Sequence, residues 1–235
     1  MDSADEQPIA QSLSDITRHS NIAAVFRAGF TGDRHYWELR SAAGELLAVT
    51  ARVHNGGRAA QVFRKALALT GMDAGNDIHA ELRGARGRVL ARISSTNAAP
   101  ATVTVRDDAG SLVAKSLRDK TLLLKVKHPD RFVVFDAEDR VSASVDCEAD
   151  LPWPVSDDAG ALMGELLAGK PGPTLSPHWS DWIDPNWGLS VATYANAQHL
   201  GIARAQQYTA VAHGTPSSQQ SAVMALLPLM AGLSY

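Results

Sequence analysis

A ten-residue phrase recurs in this chain, as LRSAAGELLA at residues 39–48, LRGARGRVLA at 82–91 and VRDDAGSLVA at 105–114. Each copy begins with an apolar residue followed by arginine, has glycine at its sixth position and ends in alanine. The flanking residues alternate between apolar and polar, which is the period of a strand with one buried face. Glycine adopts positive φ without steric cost, as a short hairpin turn requires. The phrase therefore predicts a β-hairpin with Gly44, Gly87 and Gly110 at positive φ.

Weaker copies of the phrase follow later in the chain. VVFDAEDRVSASVD at 133–146 has Asp139 in place of glycine and suggests a turn one residue shorter, and ATYANAQHLGIARAQQY at 192–208 repeats the closing letters. Together with apolar segments at 62–71 and 121–128, roughly ten to twelve regularly spaced strands are predicted. This spacing favours a sandwich or a barrel over a parallel α/β sheet.

The segment SDDAGALMGELLAG at 156–169 departs from the β pattern. Ser156 and Asp157 are candidate caps, and the leucines and methionine that follow are at helical spacing. The pattern predicts a short surface helix over these residues. The end of the segment also matches the spacing of a phosphate-binding loop, but proline follows its lysine, and we interpret it as a helix end.

The segment TPSSQQSAVMALLPLM at 215–230 predicts a second helix, which Ser217 and Gln220 would begin with a capping box. From residue 222 onward it is apolar on every side. A helix that is apolar all round must be buried on every side. We therefore predict a closed antiparallel barrel of about twelve strands around a buried C-terminal helix, with Leu226 and Leu227 in its core.

Composition limits the class of protein. The chain has 235 residues, of which 45% are apolar, and a single cysteine, Cys147, which fits a reducing compartment. Residues 1–20 predict a flexible acidic tail without a secretory signal, and residues 22–235 predict one domain. The longest apolar run falls short of the ~18 residues that a membrane-spanning helix needs. We expect a cytoplasmic protein with no transmembrane segment.

Charge is unevenly distributed along the sequence. Residues 21–129 carry 17 basic and 9 acidic residues, whereas residues 130–185 carry 3 and 12. Either these charges mix as solvated faces of the fold, or the first half presents a basic surface to an anionic partner. Adjacent hairpins of a barrel bring their turns to one end, so the basic residues on them could converge. The candidate ligand-binding residues are Arg83, Arg86, Arg88, Lys115, Arg118 and Lys120.

These basic residues predict peripheral binding to anionic phospholipid. No aromatic residue lies among them, so no stacking on bases and no nucleic-acid partner are expected. No cofactor motif and no catalytic motif is present, and we expect a protein without enzymatic activity. The segment PHWSDWIDPNW at 177–187 offers an alternative, because His178, Asp181 and Asp184 could hold a divalent metal in a metal-dependent enzyme. The same segment could equally be a loop pinned to the barrel by buried indoles.

The hairpins RSAAGELLA, RGARGRVLA and RDDAGSLVA, the segments YWELRSAAGELLAVTARV and VFRKALALTG, and the apolar terminal helix resemble the tubby C-terminal-like superfamily. That superfamily includes phospholipid scramblases and LURP-one-related proteins, and the resemblance covers residues 22–235. It implies a twelve-stranded barrel around a hydrophobic helix, and binding of phosphoinositides through basic residues on the barrel. The chain lacks the acidic calcium loop and the cysteine-rich palmitoylation site of scramblases, so scramblase activity is not expected.

Overall fold

The computed structural model describes residues 7–19, 21–26, 37–53, 78–96, 101–118, 131–147, 152–169, 207–214 and 217–234. The strands are β1 (Asn21–Phe26), β2 (Trp37–Ser41), β3 (Leu46–Arg52), β4 (Ile78–Arg83), β5 (Val89–Thr96), β6 (Ala101–Asp107), β7 (Leu112–Arg118), β8 (Arg131–Phe135), β9 (Val141–Asp146), β10 (Trp153–Ser156), β11 (Leu162–Gly169) and β12 (Gln207–Ala212). Helix α1 (Leu13–Thr17) precedes them and helix α2 (Ser218–Leu233) follows.

The strands form a closed antiparallel barrel in which each strand pairs with its neighbours in sequence. The first and last strands close the ring, with the register running from Asn21↔Val211 to Val25↔Gln207. The predicted fold class is therefore confirmed. The two predicted strands at 62–71 and 121–128 lie outside the described residues, as does the copy at 192–208 except for its last two residues, which begin β12.

Five hairpins of the barrel have turns of the same geometry. In each, the N–H of the third residue of the phrase donates to the carbonyl of the seventh, and the N–H of the sixth donates to the carbonyl of the third. The sixth residues all have positive φ, at Gly44 (84°), Gly87 (73°), Gly110 (92°), Asp139 (58°) and Gly160 (81°). The prediction for the three glycines is confirmed. The turn that contains Asp139 has the same length as the others, so the shorter turn expected there is wrong.

Residues 156–169 are not a helix. They form the end of β10, the turn that follows it and all of β11, and the fifth copy of the phrase is VSDDAGALMG at 155–164. Asp157 explains the turn, since its Oδ1 atom accepts hydrogen bonds from the N–H groups of Ala159 (3.0 Å) and Ala161 (2.8 Å). An Asp that bonds its own backbone two residues on favours a turn over a helix interior. Residues 164–169 of the phosphate-loop spacing therefore lie on a strand and not at a helix end, and Lys170 is outside the described residues.

The first and last residues of the phrase face the interior of the barrel. All five first residues, Leu39, Leu82, Val105, Val134 and Val155, have 0% exposure. The last residue is alanine in four copies and Gly164 in the fifth. A Cβ atom on Gly164 would overlap the carbonyl oxygen of Val211 and the Met224 side chain of α2. Glycine at the end of the fifth copy therefore leaves space for the backbone of β12 and for the central helix.

Helix α2 fills the barrel. Its Ser217 hydroxyl accepts from the Gln220 N–H and the Gln220 side chain accepts from the Ser217 N–H, which confirms the capping box. Every residue from Val223 to Leu233 is buried, and both Leu226 and Leu227 have 0% exposure. The helix contacts β1 and β12 on one side of the ring and β7, β8 and β9 on the other. The C-terminal helix is therefore the core of the domain, as predicted.

The prediction of a flexible tail is wrong for residues 7–19. Helix α1 begins with a capping box in which the Asp15 carboxylate accepts from the Ser12 N–H, and Ile16 has 0% exposure. Upstream, Ala10 has 2% exposure and belongs to the same core cluster as α2. Burial of Ala10 and Ile16, together with the backbone hydrogen bonds from Ile9 and Ala10 to β3, stabilises a short segment whose composition is otherwise polar.

Candidate functional site

The five shared turns lie at one end of the barrel. Successive strands of an antiparallel meander point in opposite directions, so every connection from an even-numbered to an odd-numbered strand meets at the same end. The turns comprise residues 41–45, 84–88, 107–111, 136–140 and 157–161. We call this the turn end, and α2 begins there, because its Gln219 contacts Asp136 of the fourth turn.

Five arginines with exposed side chains lie on one part of the turn end and on the strand surface beside it. We call them the basic sector: Arg83, Arg86, Arg88, Arg92 and Arg106. They come from β4, β5, β6 and the turn between β4 and β5, which are consecutive in the barrel. Neighbouring strands are about 4.8 Å apart, so the sector spans roughly 10 Å of the outer surface.

Arg92 and Arg106 are directly opposite each other on β5 and β6. Like charges at opposed positions of an antiparallel pair destabilise the sheet. Both guanidinium groups extend to backbone carbonyls of the next turn, from Arg92 Nη1 to Asp108 O (3.0 Å) and from Arg106 Nη1 to Gly110 O (3.1 Å). Within the described ranges no carboxylate lies within ion-pair distance of either arginine.

Arg86 has a backbone conformation that its residue type rarely adopts. Its φ and ψ are 55° and 25°, in the left-handed region, and Gly87 follows it with positive φ as well. The corresponding fifth residue of the other four turns is not among the described positive-φ residues. Left-handed backbone costs a non-glycine residue roughly 1–2 kcal/mol, and such conformations are found frequently at functional positions.

The remaining two arginines of the sector have carboxylate partners. Arg83 binds Glu81 through both its Nε and Nη2 atoms, at 3.1 and 2.8 Å, with 45% of the arginine side chain still exposed. Arg88 lies 3.9 Å from Asp108, and both side chains are more than half exposed. Exposed pairs of this kind contribute only about 0–1 kcal/mol, so a stronger anion can compete for these arginines.

The six predicted binding residues do not converge. Arg83, Arg86 and Arg88 lie together at the turn end, but Arg118 is 2% exposed and lies at the opposite end of β7, so it cannot meet a large ligand. Lys115 is on the outer surface, where its Nζ atom is 3.3 Å from Asp139 Oδ1 and 5.6 Å from the centre of the Phe135 ring. Lys120 lies outside the described residues.

Arg92 and Arg106 are not among the binding residues predicted from the sequence. A usable signal was present, because Ile93 and Val105 alternate with them and both are buried. A residue next to a buried one on a regular strand faces outward. Strand register, which the sequence does not specify directly, decides that these two arginines lie side by side.

An acidic sector occupies the turns between β8 and β11 and consists of Asp136, Glu138, Asp139, Asp157 and Asp158. Burial raises the pKa of Asp136, but hydrogen bonds from the backbone N–H groups of Arg140 and Glu138 and from the Arg140 guanidinium outweigh this effect. The net pKa of Asp136 is below its ordinary value, so the carboxylate is ionised at neutral pH. Any anionic ligand must therefore approach the turn end from the basic side.

The alternative metal site at His178, Asp181 and Asp184 lies outside the described residues. Within the residues that the structure does describe, no group of three His, Cys, Asp or Glu side chains is arranged to hold a metal ion. The described helices are also too short or too polar to cross a bilayer.

Comparisons with protein-family models, with curated proteins and with solved structures found no match to this chain.

Proposed function

We propose that this chain is a non-enzymatic barrel protein that binds anionic lipid surfaces through the basic sector. The observation that carries the proposal is the direct opposition of Arg92 and Arg106 on the outer surface. Two cations at opposed positions lower the stability of the sheet, and the carboxylate of Glu81, which is opposite Arg92 on β4, bonds Arg83 instead. Binding of an anion between them would relieve that repulsion. The pair therefore has a role in binding, whereas it does not favour folding.

The architecture favours binding on the outside of the barrel. Ligand-binding barrels hold small molecules in an open interior, whereas the interior here contains the apolar residues of α2, which belong to one core cluster with Val103, Val105 and Ala114. The exposed arginines of the basic sector are therefore better placed to receive a partner than the core is.

The resemblance to the tubby C-terminal-like superfamily supports the same proposal. A closed barrel around a hydrophobic helix is the architecture that the resemblance implies, and basic residues on the barrel are what tubby proteins use to bind phosphoinositides. We propose membership of that superfamily and a cytoplasmic location, with the basic sector facing the inner leaflet. The acidic sector would face away from the membrane in that orientation.

The expected affinity is low and depends on salt. Each basic residue near an anionic membrane contributes roughly 1 kcal/mol, and the attraction fades over a Debye length of about 8–10 Å. Five arginines, two of them with exposed carboxylate partners, therefore predict binding that is measurable at low salt and weak at high salt.

Flotation with phosphatidylserine-containing and purely phosphatidylcholine vesicles tests the proposal. The double variant Arg92→Gln/Arg106→Gln should lose most binding to the anionic vesicles at low salt. Arg18→Glu is the matched control, because both variants lower the formal net charge by two units, from −3 to −5. Arg18 lies at the end of α1 with 76% of its side chain exposed. Equal binding by the double variant and the control would refute the proposed site, and no binding by the native protein would refute the function.

A further inference from the structure

The segment before α1 holds one large apolar side chain in solvent at the turn end. The N–H groups of Ile9 and Ala10 donate to the carbonyls of Leu46 and Leu47, both at 3.0 Å, at the start of β3. The carbonyl of Ala10 accepts a hydrogen bond of 2.8 Å from the N–H of Ala85 in the second turn. The side chain of Ala10 is buried in the core, whereas Ile9 is 52% exposed. The backbone of Ile9 is therefore fixed while its side chain faces water.

Gly84 brings this segment against the basic sector. A Cβ atom at this position would overlap the backbone oxygen of Ala10 and approach the Leu90 side chain to 2.8 Å. The corresponding third residue of the other four turns is serine or aspartate. Because Gly84 has no side chain, Ala10 lies directly against the turn that carries Arg86 and Arg88.

The first turn adjoins the segment at the start of β3 and has an apolar tip. Its fourth and fifth phrase residues are Ala42 and Ala43, and both are exposed. In each of the other four turns, one of these two positions carries a charge. The charged residue of the first turn is Glu45 at its last position, whose Oε2 atom accepts from the Ser41 hydroxyl at 3.2 Å. We call Ile9, Ala42 and Ala43 the apolar rim.

We infer that the apolar rim enters the boundary between headgroups and acyl chains when the basic sector binds an anionic membrane, with Ile9 as the anchor. This inference rests on the proposed function. The rim and the basic sector meet at the second turn, so a bilayer that contacts Arg86 and Arg88 also reaches Ile9. Lipid is the occupant that fits, because the rim side chains have no polar group to pair and the adjacent arginines attract an anionic leaflet. Burial of apolar side chains at that boundary adds to the electrostatic attraction.

Ile9→Ser and Leu162→Ser test the anchor against an ordinary exposed residue. Leu162 is the matched control, because it is 54% exposed and begins β11 at the turn end, but beside the acidic sector. Neither substitution changes the formal charge. Ile9→Ser should weaken binding to phosphatidylserine vesicles roughly five- to tenfold, because less apolar surface is buried in the bilayer, and Leu162→Ser should leave the affinity unchanged. Native affinity in Ile9→Ser, or equal losses in the two variants, would overturn the inference.

Salt dependence separates the anchor from the arginines. Burial of apolar surface is not screened, so Ile9→Ser should leave the slope of log affinity against log salt concentration unchanged. Arg92→Gln/Arg106→Gln should make that slope shallower, because it removes charges that attract the membrane. An equal decrease of the slope in Ile9→Ser would mean that Ile9 acts only by positioning the arginines, and it would overturn the proposed insertion.

Tryptophan at the same two positions reports depth. Vesicles with brominated acyl chains quench an indole that reaches their hydrocarbon region, so the fluorescence of Ile9→Trp should be quenched more than that of the native protein. Leu162→Trp should show no extra quenching. Ile9→Trp should also bind phosphatidylserine vesicles more tightly, because indole favours the membrane interface. Quenching of Ile9→Trp no greater than that of the native protein would overturn the insertion.

The vesicle measurements also distinguish failure of the anchor from failure of the proposed function. Binding that requires Arg92 and Arg106 but not Ile9 would overturn the anchor alone. No binding of the native protein to phosphatidylserine vesicles would overturn both.

Discussion

The Nε2 atom of Gln219 lies 2.7 Å from the Oδ2 atom of Asp136, so the first turn of the central helix is hydrogen-bonded to the fourth hairpin turn. Asp136 also accepts from two backbone N–H groups of its own turn and from the Arg140 guanidinium. At the other end of the barrel, the Ser95 hydroxyl donates to the carbonyl of Leu233 at 2.9 Å. The helix is thus fixed at both ends by polar contacts as well as by burial along its length.

The contribution of Asp136 to stability should depend on pH. Asp136→Ala should lower the free energy of unfolding by about 1.5–3 kcal/mol at pH 7, because it removes hydrogen bonds to a charged, buried acceptor. The folded pKa is below the unfolded value of about 3.9, so this stability is present above that pH and is lost as pH falls through the folded pKa. Urea unfolding at several pH values should show that the difference in unfolding free energy between the native protein and the variant becomes smaller in acid. A difference that does not change with pH would contradict the lowered pKa of Asp136.

Truncation of the central helix should be costly. Leu226→Ala or Leu227→Ala should lower the free energy of unfolding by about 2–5 kcal/mol, the range for a buried leucine. Leu226→Asp would bury an unpaired charge and should prevent folding. Circular dichroism and thermal melting provide the measurement, and a soluble, cooperatively folding Leu226→Asp protein would contradict the threaded barrel.

Substitution of the turn glycines should destabilise the protein because of their positive φ and not because of steric crowding. A Cβ atom at Gly87 or Gly110 would meet nothing within 4 Å, yet both residues have positive φ. Gly87→Val and Gly110→Val should therefore each cost about 1–2 kcal/mol, and Gly44→Val should behave alike. Asp139→Gly is the reverse substitution at the equivalent position and should not cost backbone strain. Equal melting temperatures for the native protein and the three valine variants would show that positive φ at these glycines does not strain a valine.

The sequence predicts the barrel well because its signals are local and repeated. It misled at residues 156–169, where leucines and a methionine happen to recur at helical spacing. The tetrapeptide DDAG occurs both there and at 107–110, and that identity was the better guide. Turn chemistry fixes φ at a specific residue, whereas apolar spacing in a short window fits either a strand or a helix.

The candidate site was harder to predict because it depends on strand register and on which face each side chain occupies. Arg118 follows Ala114 and Ser116 at the strand period, and all three are buried. Counting that period from the alanine that ends the phrase would have placed Arg118 inside the barrel. The contact between Ala10 and the turn at Ala85 has no local signal, since 75 residues separate the two positions.

A repeated Glu-Leu-Arg tripeptide provides a matched pair of salt bridges. Glu38–Arg40 and Glu81–Arg83 have the same Nη2–Oε2 distance of 2.8 Å, but the first pair is 1% and 7% exposed and the second 20% and 45%. Glu38→Gln should cost about 3–5 kcal/mol because it removes the carboxylate charge from a buried ion pair with Arg40. Glu81→Gln should cost at most about 1 kcal/mol. Chemical denaturation measures the loss of unfolding free energy in each variant. Similar losses would show that burial does not determine how much each salt bridge contributes to stability.

Glu81→Gln should also affect binding. The substitution releases Arg83 from its carboxylate partner and removes one negative charge beside the basic sector. Phosphatidylserine vesicles should therefore bind this variant several-fold more tightly than the native protein at low salt, whereas phosphatidylcholine vesicles should show no difference. Unchanged affinity would mean that Arg83 does not face the lipid.

Arg106→Glu should make the protein more stable and less able to bind lipid. The substitution replaces a repulsive pair on β5 and β6 with an attractive one, since the introduced carboxylate would be directly opposite Arg92. Opposite charges at opposed positions contribute roughly 0.2–1 kcal/mol, and water can replace the exposed hydrogen bond to Gly110 that is lost. Thermal melting should thus rise while flotation with anionic vesicles falls. A residue pair kept for folding would show both quantities falling together, and that result would remove the main support for the basic sector as a binding surface.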